Sequence, residues 1–300
     1  MTDRPDDSMT AFDDARPGLL GLAYRLLGSR ADAEDAVQDT FLKWQRIDRA
    51  AIASAGAWLT TTCTRHCLDL LRNAHRSRVD YVGTWLPEPL RIADEIEPQA
   101  AAELASTLTS AFLLLLERLT PKERAAYLLH EIFDMDYADI ASTLGMQEPA
   151  CRKLVSRAHA HVGQARVRHI TPPAQQTELL IAFERAVRDG QTEQLALLLS
   201  RDVRLAADGG GKVPAARRIM VGEGEVLRFI TAGLHVWWAD YTFERANFNG
   251  HLGLILRDPA GTVTAAASFS YDDAGHLADI FIMRNPDKLS RVEQVATEVQ

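Results

Sequence analysis

An excess of positive charge is missing from this sequence. Its 33 lysines and arginines are outnumbered by 41 acids, leaving a formal charge of -8, which excludes a protein that coats nucleic acid indiscriminately. Cysteine is scarce. Cys63, Cys67 and Cys151 are too few and too oddly numbered for a disulfide framework, so a reducing compartment is the simpler setting. Long apolar runs are lacking as well: the best candidate, "AFLLLL", is far shorter than the roughly 18 residues a membrane span requires. The acidic opening "MTDRPDDSMTAFDDARPG" has no apolar core of the kind a signal peptide carries. The expectation is a cytoplasmic protein without membrane contact.

What is present is ordinary in amount and uneven in place. A chain of 300 residues, 47% hydrophobic and 25% charged, suffices for two or three compact domains, each with its own core. Basic residues gather in two segments. Gln147 to Ile170 holds five, at positions 152, 153, 157, 166 and 168, against the single acid Glu148; Thr64 to Arg78 holds four arginines against Asp69. Both segments have helical spacing.

Residues 1–17 read as an acidic, mobile lead. Residues 18–80 are dominated by helical periodicity: "LLGLAYRLLG" ends at the capping glycine Gly28, and Ser29 with Asp32 resembles a capping box. From 81 to 101 the composition is that of a linker, with Pro87, Pro89 and Pro98 among several acids. A second helical block covers 102–170, where Thr120-Pro121 opens a helix. Residues 174–289 begin helical and then switch to short alternating segments such as "HLGLILRD" and "HLADIFIM", set apart by Gly250, Gly261 and Gly275. Residues 290–300 form a tail. The fold class is multidomain, two all-α domains followed by an α+β domain.

The stretch "DYADIASTLGMQEPACRKLVSR" meets the demands of a helix-turn-helix. Ile140, Leu144, Met146, Cys151 and Leu154 supply the packing, Ala141 the close approach and Gly145 the turn. If Cys151, Leu154, Val155 and Ala158 face inward, Arg152, Ser156 and His159 form one outward line with Lys153 and Arg157 beside it. Arginine suits guanine in the major groove, Glu148 suits cytosine, and Lys153, Arg157, Arg166 and Arg168 suit phosphates. A solvated basic face on a bundle helix is the plainer alternative.

"LTPKERAAYLLHEIFDMDYADIASTLGMQEPACRKLVSRAHAHV" resembles region 4 of the bacterial sigma factors of the extracytoplasmic-function group. "RLLGSRADAEDAVQDTFLKW" and "WLTTTCTRHCLDLLRNAHRSR" resemble two parts of region 2, in the family's order. "YVGTWLPEPL", "DGGGK" and "NPDKL" resemble the subgroup with a fused SnoaL-like (nuclear transport factor 2-like) cone domain at the C-terminus. The resemblance implies a sigma factor whose partners are core RNA polymerase and promoter DNA. Ala33, Val37, Thr40, Phe41 and Trp44 can form a buried helical stripe, which leaves Asp35, Gln38, Asp39 and Leu42 outward, where by the resemblance they would face core polymerase. Arg65, Arg72, Arg76 and Arg78 would face the downstream promoter element, and Glu148, Arg152, Lys153, Ser156 and Arg157 the upstream one. Arg65 stands where the family often has Asn, which leaves the local base preference open. Regulatory contacts would run through Trp85, Leu86, Pro87, Glu88, Pro89, Asp208, Gly209, Gly210, Gly211, Lys212, Asn285, Pro286, Asp287, Lys288 and Leu289. No separate anti-sigma protein is expected.

Several patterns invite other chemistry. Cys63, His66 and Cys67 have ligand-like helical spacing, with His75 as the conceivable fourth donor, yet a polarisable helix face accounts for them and no metal is expected. "DGGGKV" lacks the spacing of a phosphate loop, and its glycines read as a flexible loop. In the C-terminal domain Asp208, His235, Asp240 and Tyr241 are candidates for acid-base work, with Trp237, Trp238 and Phe243 as core or pocket lining. The expectation is a non-enzyme without cofactor; the alternatives are a polymerase-independent DNA-binding regulator, and a bifunctional protein whose C-terminal domain is a cyclase or isomerase or senses an unknown small molecule.

Overall fold

The computed structural model describes residues 5–48, 52–79, 81–91, 108–163 and 171–297. Contacts divide the chain into two compact units that do not follow its order: Met1–Val79 with Leu115–Arg166, and Asp80–Leu114 with Val167–Gln300.

The first unit is helical. It comprises α1 (Pro5–Leu27), α2 (Arg30–Arg46), α3 (Ala55–Val79), the end of α4 (Ser110–Leu116), α5 (Pro121–Glu131), α6 (Tyr137–Leu144) and α7 (Glu148–Gly163). The lead expected to be mobile is helical from Pro5, because it has an apolar anchor in its acidic surround: Phe12 is buried, its ring 4.6 Å from that of Phe41. Gly28 ends α1 at φ 70°, and the Ser29 hydroxyl accepts from the Asp32 amide to open α2. At α5 the box is complete, with Thr120 and Glu123 satisfying each other's backbone amides and Pro121 at the first helical position. Burial works against ionising Glu123, but its hydrogen bonds from the Thr120 side chain and backbone outweigh that and hold its carboxyl below the usual range.

The second unit is built on a six-stranded mixed sheet. Two helices, α8 (Pro173–Asp189) and α9 (Glu193–Leu198), lead into β1 (Leu199–Asp208) and β2 (Met220–Val221); α10 (Glu223–Phe229), a π turn (Ile230–Leu234) and α11 (His235–Trp238) follow. The antiparallel ribbons β3 (Thr242–Phe248), β4 (His251–Arg257), β5 (Val263–Tyr271) and β6 (Leu277–Met283) complete the sheet, and α12 (Pro286–Thr297) closes the chain. The strand order is β2-β1-β6-β5-β4-β3, with β1 and β6 parallel and the other neighbours antiparallel. This is the α+β arrangement expected from the alternating segments of the sequence.

Alternation along β5 and β6 sends side chains to both faces, and both are buried. One face packs Phe269, Tyr271, Ile280 and Ile282 against Phe183 of α8 and Trp238 of α11. The other carries Phe248, Ile255, Phe281 and Met283, covered by Leu86, Ala111, Leu289 and Val292. The stretch read as a linker is therefore, over its described residues 81–91, part of the C-terminal unit. The stretch read as a tail is helical through Thr297, because Leu289 and Val292 place apolar side chains on one helical face.

Candidate functional site: three exposed faces and a buried lock

The α2 helix buries Ala33, Ala36, Val37, Thr40 and Trp44, which turns Asp35, Gln38, Asp39 and Leu42 outward. Leu42 is 37% exposed at the edge of an acidic surface. Phe41, expected in the buried stripe, is only half-buried.

On α3 the expected basic face divides. Arg72 is exposed and pairs with Asp69 at 2.9 Å. The side chains of Arg76 and Arg78 lie outside the described residues, as do Arg166 and Arg168 altogether. Arg65 is turned onto α6, where Nε donates to the Thr143 carbonyl and Nη2 to that of Ser142, both at 2.9 Å. Cys63 and Cys67 are wholly buried one turn apart. Their mutual hydrogen bond lowers the pKa of Cys63 and raises that of Cys67. His66 sits 3.2 Å from Asp39. Among the described residues no group of His, Cys, Asp and Glu is arranged to hold a metal.

The helix-turn-helix is formed by α6 and α7, joined through Gly145 at φ 62°. Burial of Ile140, Ala141, Leu144, Cys151, Leu154, Val155 and Ala158 leaves Arg152, Lys153, Ser156, Arg157 and His159 exposed. Three of these outward groups already have partners. Arg152 donates to Glu148 at 2.6 and 3.0 Å and lies 4.4 Å from the Tyr137 ring; Arg157 is 3.5 Å from Glu123, and His159 2.6 Å from Glu131. Such exposed pairs are worth about 0–1 kcal/mol and exchange readily for phosphate or base edges.

The fourth site is buried. The Asp208 carboxylate, at the end of β1, is 0% exposed, and a charge taken out of water must be fully partnered. One oxygen accepts from the Tyr81 hydroxyl at 2.5 Å and the Gly210 amide at 2.9 Å; the other accepts from the Leu86 amide at 3.0 Å and Lys288 Nζ at 2.7 Å. Lys288 also donates to the Leu86 carbonyl at 2.5 Å and sits over the rings of Trp85 and Tyr81. Burial, and then the bond to Asp208, push the Tyr81 phenol up. Asn285 donates to the Tyr81 oxygen and accepts from the Asp287 amide, while Lys212 pairs with Asp287. Pro286 opens α12, Leu289 buries beside Leu86, and Pro87, Glu88 and Pro89 are buried in the strap itself. The residues of "WLPEPL", "DGGGK" and "NPDKL" thus meet around one carboxylate.

The glycines here serve proximity, in place of the flexibility expected of them. A Cβ on Gly209 would lie 2.4 Å from the Val213 carbonyl oxygen, and one on Gly210 2.5 Å from the Asn285 amide nitrogen. Sequence reasoning left Tyr81 off the site and missed Asn249. Asn249 takes φ 54° in the β3–β4 turn, accepts from the Leu90 amide at 2.8 Å and donates to the Leu108 carbonyl at 2.6 Å. The adjoining "NG" marked a turn and said nothing of what the amide would hold. The acid-base candidates do not gather: Asp208 is consumed by the lock, His235 faces the Val187 carbonyl at 2.8 Å, Asp240 is exposed, and Trp237 is exposed while Trp238 is core.

Residues 11–77 match the family model of Sigma-70 region 2, and residues 109–162 that of Sigma-70, region 4. The chain is 39% identical over 292 residues to the ECF RNA polymerase sigma factor SigJ of Mycobacterium tuberculosis, covering 94% of this chain and 93% of the relative. It is 31% identical over 218 residues to the probable ECF RNA polymerase sigma factor SigI of the same species, covering 72% and 73%. The crystal structure of M. tuberculosis extracytoplasmic function sigma factor SigJ aligns with a TM-score of 0.74 at 33% identity, over 94% of this chain and 98% of that one. Helical regions 2 and 4 in order, a mixed-sheet domain behind them and likeness to one such factor along nearly its whole length place this chain in the family of ECF RNA polymerase sigma factors.

Proposed function

We propose that this sigma factor docks on core polymerase through Asp35, Gln38, Asp39 and Leu42. It reads the upstream element through Glu148, Arg152, Lys153, Ser156 and Arg157, and the downstream element through the arginines of α3. Sigma factors are not enzymes, and the C-terminal domain serves as a built-in regulator, so that no separate anti-sigma protein is required. The observation that carries this reading is the Asp208 lock: the segment joining region 2 to region 4 is fastened to the C-terminal domain by a buried charge and its four donors. A domain so attached sets the path between the two promoter-reading regions. Two states, locked and released, suffice to tune initiation. The setting is the cytoplasm, where polymerase acts. One face of the sheet is packed with Phe183, Trp238 and Phe269, and the space between Pro87, Pro89, Ser110 and Ser268 holds about one water, so a small molecule would act on this domain only by opening a site.

The test is run-off transcription from the protein's own promoter with core polymerase and full-length Asp208→Asn. Transcript yield should change while the variant still co-purifies with core; unchanged yield would reject the lock as a regulator. Asp39→Arg tests the docking face separately, by loss of co-purification.

A further inference from the structure

The last four carbonyls of an α-helix lack partners within it, and they carry the negative end of the helix dipole. In the helical unit two such ends, those of α1 and α6, are met by an arginine from the other sigma region. Arg124, on α5 of region 4, is 3% exposed; its Nη1 donates to the Leu26 carbonyl at 2.6 Å, at the end of α1 in region 2. The same guanidinium donates to the Leu116 carbonyl at 2.9 Å, at the end of α4, and to Glu117 at 2.7 Å. In the opposite direction Arg65, on α3 of region 2, donates to the Ser142 and Thr143 carbonyls at the end of α6 in region 4, each at 2.9 Å. The hydroxyls of Thr61 and Thr143 meet alongside at 3.0 Å. Both capped helices end at a left-handed glycine, Gly28 and Gly145; the turn amides take up the Tyr24 and Ala141 carbonyls and share that of Ser142, and the arginines reach the carbonyls of the last turn from outside the helix.

We infer that regions 2 and 4 hold each other closed through this reciprocal pair of arginine caps, with Arg124 as the hinge and Arg65 as the latch. The asymmetry follows from burial. Arg124 donates to three acceptors in a dry setting, whereas Arg65 is exposed and its bonds compete with water and salt. The latch arginine is also one of those proposed to face the downstream promoter element, so the closed form conceals part of the surface that must reach DNA. Promoter phosphates and the α6 carbonyls compete for one guanidinium. The contact itself rests on the geometry alone; only its competition with DNA rests on the proposed promoter role.

The test uses the full chain labelled at Gln45→Cys in region 2 and Ala160→Cys in region 4, both exposed, the native cysteines being buried. Pulsed electron-spin distance measurements on the free protein should give one short distance. Arg65→Gln should add a longer-distance population, with the closed-to-open ratio falling on the order of tenfold. Thr143→Val, which removes no cation, should shift the ratio the same way by less, without weakening promoter binding by the holoenzyme. Identical distributions for wild type, Arg65→Gln and Thr143→Val would overturn the latch. Loss of promoter opening in Arg65→Gln with unchanged distances would overturn it equally, by showing that Arg65 acts on DNA alone.

Discussion

The Asp208 lock and the α7 recognition face both consist of acids and bases in contact, and they are built for opposite ends. At Asp208 the carboxylate is sealed from water and takes four donors from three parts of the chain. On α7 the Arg152–Glu148 pair spans one helical turn in solvent, with side-chain exposures of 59% and 42%. The first cannot lose a partner without stranding a charge. The second can trade every partner it has. Burial, and not the count of ion pairs, separates the part of this molecule that holds its shape from the part proposed to meet DNA.

Lys288→Ala should break the contrast most sharply, since it leaves the Asp208 carboxylate buried and short of its cation. Denaturant unfolding should show a loss of about 3–5 kcal/mol in the C-terminal unit. Gly210→Ala attacks the same site through the backbone, at φ 63° with Asn285 2.5 Å from the new Cβ; the expected loss is about 1–3 kcal/mol, read by the same unfolding curves. Thr120→Ala, at the base of the helix-turn-helix, should cost about 1 kcal/mol. Its pH dependence has a fixed sign. Glu123 is held below its ordinary pKa in the fold, so its contribution is complete above the usual carboxylate range and is lost as pH falls through the folded value. Thr120→Ala should therefore flatten acid denaturation followed by circular dichroism. Arg152→Ala marks the other extreme: thermal stability should move by no more than about 0.5 kcal/mol, while upstream-element binding in a fluorescence-anisotropy titration weakens by about 1–3 kcal/mol. A large stability loss for Arg152→Ala, or a small one for Lys288→Ala, would erase the distinction.

Features that depend on local periodicity were legible from residues alone. The helix-turn-helix showed itself in Ile140, Gly145 and Leu154, and the outward face of α2 in the spacing of Ala33, Val37 and Trp44. The motifs now gathered around Asp208 were legible as motifs, because resemblance marked them, but their convergence on one carboxylate was not. Arg65 and Arg124 were illegible for a more general reason: their acceptors are backbone carbonyls, which every residue possesses and no sequence pattern announces. Phe12 was overlooked because a single apolar residue among acids does not make a stripe. Leu289 and Val292 share a helix that "NPDKL" opens, but two apolar residues after the last alternating segment are too few to announce a helical stripe. The glycines of "DGGGK" carried the right identity and the wrong reason, since crowding and looseness both select for a missing side chain.

The covering of the second sheet face by Leu86 and Ala111 bears on how such a gene can be rearranged. A graft that moved only residues 174–289 to a new host would carry Phe248, Phe281 and Met283 without Leu86, Ala111 and Val292 above them, and an oily plate of that kind invites aggregation. The heritable module is discontinuous: the regulator travels together with the strap, or it arrives sticky and is culled.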